Sequence, residues 1–127
     1  MGVILGDLTC EDRGLSCNWW NWRPTVELLA QSHIIDADRI ERMGFNGGGA
    51  EVTADEARRI ADYIASEVLP KVRDQNEVKL DGQISDEPSW SGPISQVPAT
   101  EMLYGATRTW LETFVAFCRE CNGFAVY

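Results

Sequence analysis

The side chains best suited to recognition are concentrated in one short segment, since residues 18–24 read NWWNWRP. Trp19, Trp20 and Trp22 fall within four positions, and Arg23 follows them directly. Flat aromatic faces beside a cation bind sugar rings, unpaired bases or an apolar patch of another protein. The same indoles also suit a core, because each buries on the order of 200 Å². The segment therefore predicts a core anchor first, with a partner-facing patch as the functional alternative.

A second candidate region is the segment 74–99, which contains three prolines and little periodicity. A connection of this length is uncommon in a compact domain and often carries function. Asp81-Gly82, between alternating polar and apolar residues, predicts a hairpin near 78–85 with a type I′ turn. Nearby acids and one tryptophan extend the aromatic segment into a candidate partner patch. The members of that patch are Trp19, Trp20, Trp22, Arg23, Asp81, Asp86, Glu87 and Trp90.

The sequence carries no signature of catalysis. No serine stands in a nucleophile-elbow pattern, and the glycine-rich run GFNGGGAEVT lacks the lysine of a P-loop. The one histidine, His33, falls on the mostly apolar stripe of a predicted helix, where a core or boundary imidazole is expected. We therefore expect no catalytic chemistry and no cofactor. The alternative is a small enzyme or ligand-binding domain with a tryptophan-lined pocket under residues 74–99, where His33 or a carboxylate would be the polar group.

The four cysteines, Cys10, Cys17, Cys118 and Cys121, are expected to be reduced and idle or buried thiols. An alternative is a zinc site with all four thiolates as ligands. The C-x6-C spacing of the first pair is poor for zinc, and the second pair would have to sit at a helix end. We therefore expect no bound metal.

The net charge of −9, from 20 acids and 11 bases, restricts the class of partner. A negative field repels phosphate backbones and anionic membranes, so ordinary nucleic-acid or membrane binding is not expected. The same field attracts a protein with a basic surface. No apolar run approaches the roughly 20 residues that cross a bilayer, and the first residues lack the pattern of a secretory leader. We expect a cytoplasmic location.

Start and stop signals predict about four helices, of which the first two lie close together. The first spans about 24–34, with a proline at its opening position. Asp36 is a natural N-cap for a short helix at 37–43. Gly44 would end that helix in the left-handed conformation, with Phe45 packing back against it.

The signals for the other two helices are a capping box and a wide apolar face. Thr53 and Glu56 form the T-x-x-E pattern, which predicts a helix over 54–69. The last helix is predicted over 101–121 with Thr100 as its N-cap, because its apolar face is wide enough for the centre of the core.

Strand signals lie at both ends of the chain. Residues 3–7 and 124–127 are short, apolar and β-prone, and we expect them to pair. Residues 15–22 read as a second extended segment. The fold class expected is α+β and predominantly helical, with a small sheet of the N- and C-terminal strands and a possible hairpin near 78–85. The whole chain, 1–127, is expected to form a single domain.

These observations favour a small acidic protein that docks to another protein, in the manner of inhibitors and immunity proteins, with no chemistry of its own. Charge would speed the encounter with a basic target, and buried aromatic side chains would supply most of the affinity.

Overall fold

In the residues that the computed structural model describes, 2–10, 12–45, 47–87 and 89–127, the protein is an α+β fold with four helices and two small antiparallel sheets. The helices are α1 (Trp19–Ser32), α2 (Ala37–Met43), α3 (Ala54–Tyr63) and α4 (Arg108–Glu120). The strands are β1 (Gly2–Asp7), β2 (Gly14–Asn18), β3 (Glu51–Val52), β4 (Glu77–Val78), β5 (Ile84–Ser85), β6 (Ala106–Thr107) and β7 (Phe124–Val126).

The first sheet has the strand order β2-β1-β7-β3 and joins the two ends of the chain. Leu5 of β1 lies opposite Val126 of β7, so the predicted pairing of the terminal strands is confirmed. The sheet is wider than expected, because β2 and β3 add an edge on each side. Val3 and Leu5 point into the core while Ile4 is exposed, as the two-residue period of a strand requires.

The second sheet, of order β5-β4-β6, contains the predicted hairpin. Val78 lies opposite Ile84, and the Gly82 N–H donates to the Lys79 carbonyl across the turn. The turn is not of type I′, because that type needs a positive φ at both central residues, and here Gly82 has a positive φ but Asp81 does not. This geometry matches the longer hairpin turn that ends in a left-handed glycine.

The core lies between the first sheet and the helices and is organised around aromatic rings. Trp22 and Phe114 are fully buried with an edge-to-face contact, their ring centroids 5.9 Å apart. Phe124 meets the same Phe114 ring at 6.1 Å. The indole N–H of Trp22 donates to the Met43 carbonyl at 3.0 Å, and that of Trp110 donates to the Thr25 hydroxyl at 2.8 Å. The anchoring role predicted for the tryptophans therefore holds for Trp22, with its polar atom satisfied.

The predicted boundary between the extended segment 15–22 and the first helix was wrong, because the extended segment ends at Asn18 and α1 begins at Trp19. The Asn18 side chain accepts from the Asn21 N–H at 2.9 Å and caps the helix. Pro24 lies in the second turn of α1 rather than at its first position. Since proline has no N–H, the carbonyl of Trp20, four residues earlier, has no partner within the helix.

The buried face of α1 also differs from the predicted stripe. It consists of Trp22, Pro24, Thr25, Leu28 and Leu29. Of the apolar residues in the predicted stripe, Leu29 is buried, whereas Val26, Ala30 and Ile34 are only partly buried.

His33, expected in the core or at its boundary, is exposed and caps the end of α1 with a φ of 60°. The predictions for the end of α2 were also wrong. Gly44 has a φ of −83° rather than a left-handed conformation, and Phe45 is 52% exposed instead of packing back.

The predicted last helix was too long at its start. Residues 100–103 form a separate 3-10 turn, and α4 begins at Arg108, where the Thr107 hydroxyl accepts from the Trp110 N–H. Gly105 interrupts the helix, and its own N–H donates to the unpaired Trp20 carbonyl at 2.9 Å.

The third helix begins at Ala54 as predicted, and both hydrogen bonds of the Thr53–Glu56 capping box are present. Its last turns widen into a π-helical turn, Ile64–Val68, ahead of Pro70. The Glu56 carboxylate also accepts two hydrogen bonds from the Arg39 guanidinium, each 2.7 Å long, which ties α2 to α3.

Among the described residues, every helix falls short of the length or the apolar character that a membrane span requires.

Replacing Trp22 with phenylalanine is expected to lower the free energy of unfolding by about 1–3 kcal/mol, because the Met43 carbonyl loses its buried donor. Urea unfolding followed by circular dichroism measures the loss. Trp19→Phe is the matched control, since Trp19 is partly exposed and no hydrogen bond of its indole is found among the described residues. Equal losses for the two variants would contradict this account of the core.

The stability of the protein is expected to fall in acid partly through Glu56. Hydrogen bonds from Arg39 lower the pKa of this carboxyl from 4.5 to about 2 against the opposing effect of burial. A lowered folded-state pKa stabilises the fold above pH 4.5, and this contribution disappears as the pH falls towards 2. Glu56→Gln should therefore cost about 1–3 kcal/mol at neutral pH and flatten the decline in that window.

The control is Asp55→Asn, which removes an exposed carboxylate from the same turn of α3. The free energy of unfolding is measured for each variant across the acid range. If both variants kept the wild-type dependence on pH, the result would contradict the stabilising role of the Arg39–Glu56 pair.

Candidate functional site

Two neighbouring clefts lie on the part of the molecule formed by the β4–β5 hairpin, residues 86–87 and 89–105, and the start of α1, called here the hairpin face. The aromatic cleft, of about 310 Å³, is lined by Trp20, Asn21, Glu77, Ser89, Trp90 and Thr107. The acidic cleft, of about 320 Å³, is lined by Lys79, Leu80, Asp81, Glu87, Glu101 and Met102. The two clefts are neighbours, because Glu77 in one pairs with Lys79 in the other.

The aromatic cleft depends on the irregular start of α1. Pro24 leaves the Trp20 carbonyl without a helical partner, and the Gly105 N–H fills that position at 2.9 Å. The hydrogen bond brings the segment before β6 against α1. It also places Tyr104 beside Trp20, with an edge-to-face ring contact at 5.0 Å. The Trp20 ring is thus fixed in place while one side stays accessible.

The other aromatic wall, Trp90, is held by its own loop. Its backbone N–H donates to the Met102 carbonyl at 2.8 Å, and its indole N–H donates to the Pro93 carbonyl at 3.0 Å. Both donors are satisfied while the ring remains half-buried. A side chain held in this manner loses little conformational freedom when it binds.

The charged group of the aromatic cleft is Glu77. Its Oε1 accepts from the Ser89 hydroxyl at 2.5 Å and from the Lys79 ammonium at 3.1 Å. Its Oε2 has a single, long contact among the described residues, 3.4 Å from the Ser89 N–H. Burial opposes ionisation, but the bonds from Ser89 and Lys79 prevail and hold the pKa of Glu77 below its usual value.

The ionised Glu77 is a poor general base, because efficient bases have pKa values near the working pH. The Ser89 hydroxyl beside it is therefore not an activated nucleophile of the usual kind. What the pair does provide is a carboxylate in the lining of the cleft whose Oε2 has one long hydrogen bond among the described residues.

The backbone at Gly105 lies close to this carboxylate. A Cβ at this position would collide with Glu77 Oε1 and lie 2.6 Å from Ser89 Oγ. Both atoms are the ends of side chains, so a larger residue at position 105 would have to displace the Glu77–Ser89 pair. Gly105 falls inside the predicted helix 101–121. Because glycine disfavours a helix interior, it was the feature of the sequence that argued against a continuous helix there.

The acidic cleft has three exposed carboxylates, Asp81, Glu87 and Glu101, around the apolar side chains of Leu80 and Met102. Its one cation, Lys79, is engaged with Glu77. The rim of the cleft therefore carries a net negative charge.

The structure divides the predicted partner patch. It brings Trp20 and Trp90 together in the aromatic cleft and places Asp81 and Glu87 in the acidic cleft. Trp22 is not on the surface but in the core.

The remaining members of that patch are occupied by neighbours. Arg23 is exposed, with its guanidinium carbon 5.5 Å from the centroid of the Trp19 ring and 5.8 Å from that of Tyr104. Asp86 accepts a hydrogen bond from the buried Asn76 amide. Both therefore contribute first to holding the local structure.

Sequence reasoning missed Glu77, Ser89, Gly105, Glu101 and Met102. Each reaches the hairpin face through contacts between segments that are distant in sequence, and a local pattern does not record such contacts. His33, proposed as the polar group of a tryptophan-lined pocket under residues 74–99, lies instead in a separate cleft of about 400 Å³ beside Glu41, where no tryptophan is among the lining residues.

The cysteines lie at different depths. Cys10 and Cys17 are partly exposed, whereas Cys118 and Cys121 are buried. Burial raises the pKa of Cys17 to about 12, and that of Cys118 well above its usual value. In the ranges that the structure describes, no three or more His, Cys, Asp or Glu side chains are grouped to hold a metal ion. The zinc alternative thus gains no support from the arrangement of these thiols.

Comparisons of the chain with models of protein families, with curated proteins and with solved structures found no match.

Replacing Gly105 with alanine is expected to lower the free energy of unfolding by about 1–3 kcal/mol, because the new methyl group overpacks the Glu77–Ser89 pair. Gly44→Ala is the control, since Gly44 has an ordinary φ of −83°. Urea unfolding of the two variants, followed through tryptophan fluorescence, gives the difference. An effect of Gly105→Ala no larger than that of the control would mean that the backbone does not approach Glu77 so closely.

Proposed function

We propose that the protein is a binding domain that docks a basic segment of another protein on its hairpin face and acts as an inhibitor of that partner, without chemistry of its own. One observation carries the proposal: Asp81, Glu87 and Glu101 surround an apolar cleft whose one cation is already paired. Unpaired carboxylates around apolar surface complement a lysine or arginine next to an apolar side chain.

Exposed apolar side chains on the same face support docking. Of the six large hydrophobic residues that are exposed among those described, Ile94 and Met102 lie beside the two clefts, at 62% and 37% exposure. Exposed apolar side chains that cluster with polar residues at their rim are typical of interaction surfaces. Ile94, Met102 and the half-buried Trp90 would supply affinity, while the carboxylates raise the rate of encounter.

The size of the acidic cleft limits what enters it. A volume of about 320 Å³ lies at the lower end of the range for binding pockets. It suits one or two side chains of a partner rather than a whole helix. The rest of the interface would lie on the surrounding hairpin face.

A second function, binding of a small ligand, is supported by a different observation. Trp20 and Trp90 form the apolar walls of a cleft that also presents the fixed Oε2 atom of Glu77. Apolar walls with a few placed polar groups are the usual composition of a ligand pocket.

A peptide of alternating lysine and leucine is a suitable probe for the docking function. Titrated into isotope-labelled protein, it is expected to shift the amide resonances of residues 79–81, 87 and 101–102 in a salt-sensitive manner, because screening weakens exposed charge pairs. The glutamate–leucine counterpart is expected to cause no shifts there. Shifts confined to other parts of the molecule, or none at all, would count against docking at the acidic cleft.

Reversing Asp81, Glu87 and Glu101 to lysine is expected to reduce the association rate of the basic peptide by about tenfold or more at low salt, because the charge that attracts it is inverted. The control reverses Asp12, Glu51 and Asp55, three exposed acids outside the hairpin face. This control variant changes the net charge by the same amount, so it tests whether the location of the reversed acids matters. The association rates are measured by stopped-flow kinetics. If both variants slowed association equally, the effect would come from net charge alone, and docking at the acidic cleft would be contradicted.

A further inference from the structure

The aromatic cleft contains polar groups that docking of a basic segment does not use. Asn21 and Thr107 line it together with Glu77 and Ser89. Several of these groups are already positioned by internal hydrogen bonds, since the side-chain Oδ1 of Asn21 accepts from the Thr107 backbone N–H at 3.3 Å. The cleft is therefore an organised polar site between two aromatic walls.

Charge balance in the aromatic cleft favours a neutral ligand. Its carboxylate, Glu77, is paired with Lys79 at 3.1 Å. The other polar side chains that line it, on Asn18, Asn21, Ser89 and Thr107, are uncharged. A cationic or anionic ligand would lose its hydration here without meeting an unpaired opposite charge, which is costly.

The hydrogen-bonding capacity of the cleft favours hydroxyl groups. Glu77 Oε2 is an acceptor with one long contact among the described residues. The Thr107 oxygen accepts from the Trp110 N–H at 3.1 Å, which leaves its hydrogen to be donated. Acceptors and donors thus lie side by side, and a hydroxyl group matches both because it donates and accepts at one atom.

The apolar walls favour a ring with a flat apolar face. The indoles of Trp20 and Trp90 are held by neighbouring groups and remain half-buried, so they offer surface without further ordering. The volume of about 310 Å³ is at the lower end for ligand pockets and accommodates a single ring with its substituents.

We propose that the aromatic cleft binds one ring of a neutral sugar, whose apolar face contacts the indoles and whose hydroxyls bond to Glu77 Oε2 and Thr107. The inference rests on the small-ligand function proposed above and names its ligand class. It is independent of docking at the acidic cleft.

The test uses the full chain and methyl pyranosides of glucose, galactose, mannose and N-acetylglucosamine as probes. At least one is expected to shift the indole N–H resonances of Trp20 and Trp90 in a saturable manner and leave that of Trp22 unchanged. Trp90→Ala should weaken this binding by about tenfold and Trp90→Phe by less, because a smaller ring keeps part of the contact. Trp19→Phe is the control and should bind as the wild type does.

Two further arms distinguish the possible ligands. Tighter binding of a disaccharide than of its methyl glycoside would indicate the end of a glycan chain, and equal affinities a single sugar; both support the proposal. Nucleosides and N-acetyl-arginine amide are compared in the same assay. If one of these saturates the cleft while every sugar fails, ligand binding stands and the sugar inference is overturned. If no compound of any class shifts the two indoles, both are overturned.

Discussion

The hydrogen bond from the Gly105 N–H to the Trp20 carbonyl is the contact on which the rest of the hairpin face depends. It exists because Pro24 has no N–H with which to close that turn of α1. A break in one helix thereby becomes an attachment point for a segment more than eighty residues later. The segment holds Tyr104 against Trp20 and leads into β6, which pairs with the β4 strand that carries Glu77. The Trp20 wall and the carboxylate of the aromatic cleft are therefore connected through the same segment.

The tryptophans have separate roles that follow from helix geometry. In a strand, Trp20 and Trp22 would share a face, but in α1 a step of two residues turns the side chain about 200° around the axis. Trp22 consequently enters the core and meets Phe114, while Trp20 faces the 89–105 segment. Trp19 lies near Arg23, one helical turn later, which covers its ring. One short sequence thus anchors the core and builds one wall of a surface cleft.

Features set by neighbouring residues could be predicted from the sequence, and features set by distant contacts could not. The Thr53–Glu56 capping box fixes the start of α3 through local hydrogen bonds, so it was read correctly. Proline is favoured in the first turn of a helix, and at Pro24 the second turn is tolerated because a distant donor satisfies the open carbonyl of Trp20. That donor belongs to Gly105, eighty-one residues away, and no local pattern records it. The joining of Trp20 and Trp90 in one cleft follows from the same contact.

The two clefts differ in charge and in the groups that line them. The acidic cleft has three exposed carboxylates at its rim, while in the aromatic cleft Glu77 is paired with Lys79 and lies among tryptophan rings and uncharged polar groups. Both clefts include residues of the segment before β6, and the amide hydrogen exchange of Gly105 tests the packing of that segment against α1 most directly. We predict that this amide is strongly protected, because its hydrogen bond opens only when the segment leaves the helix. Exchange as fast as that of the exposed Ser91 and Gly92 amides would contradict the account.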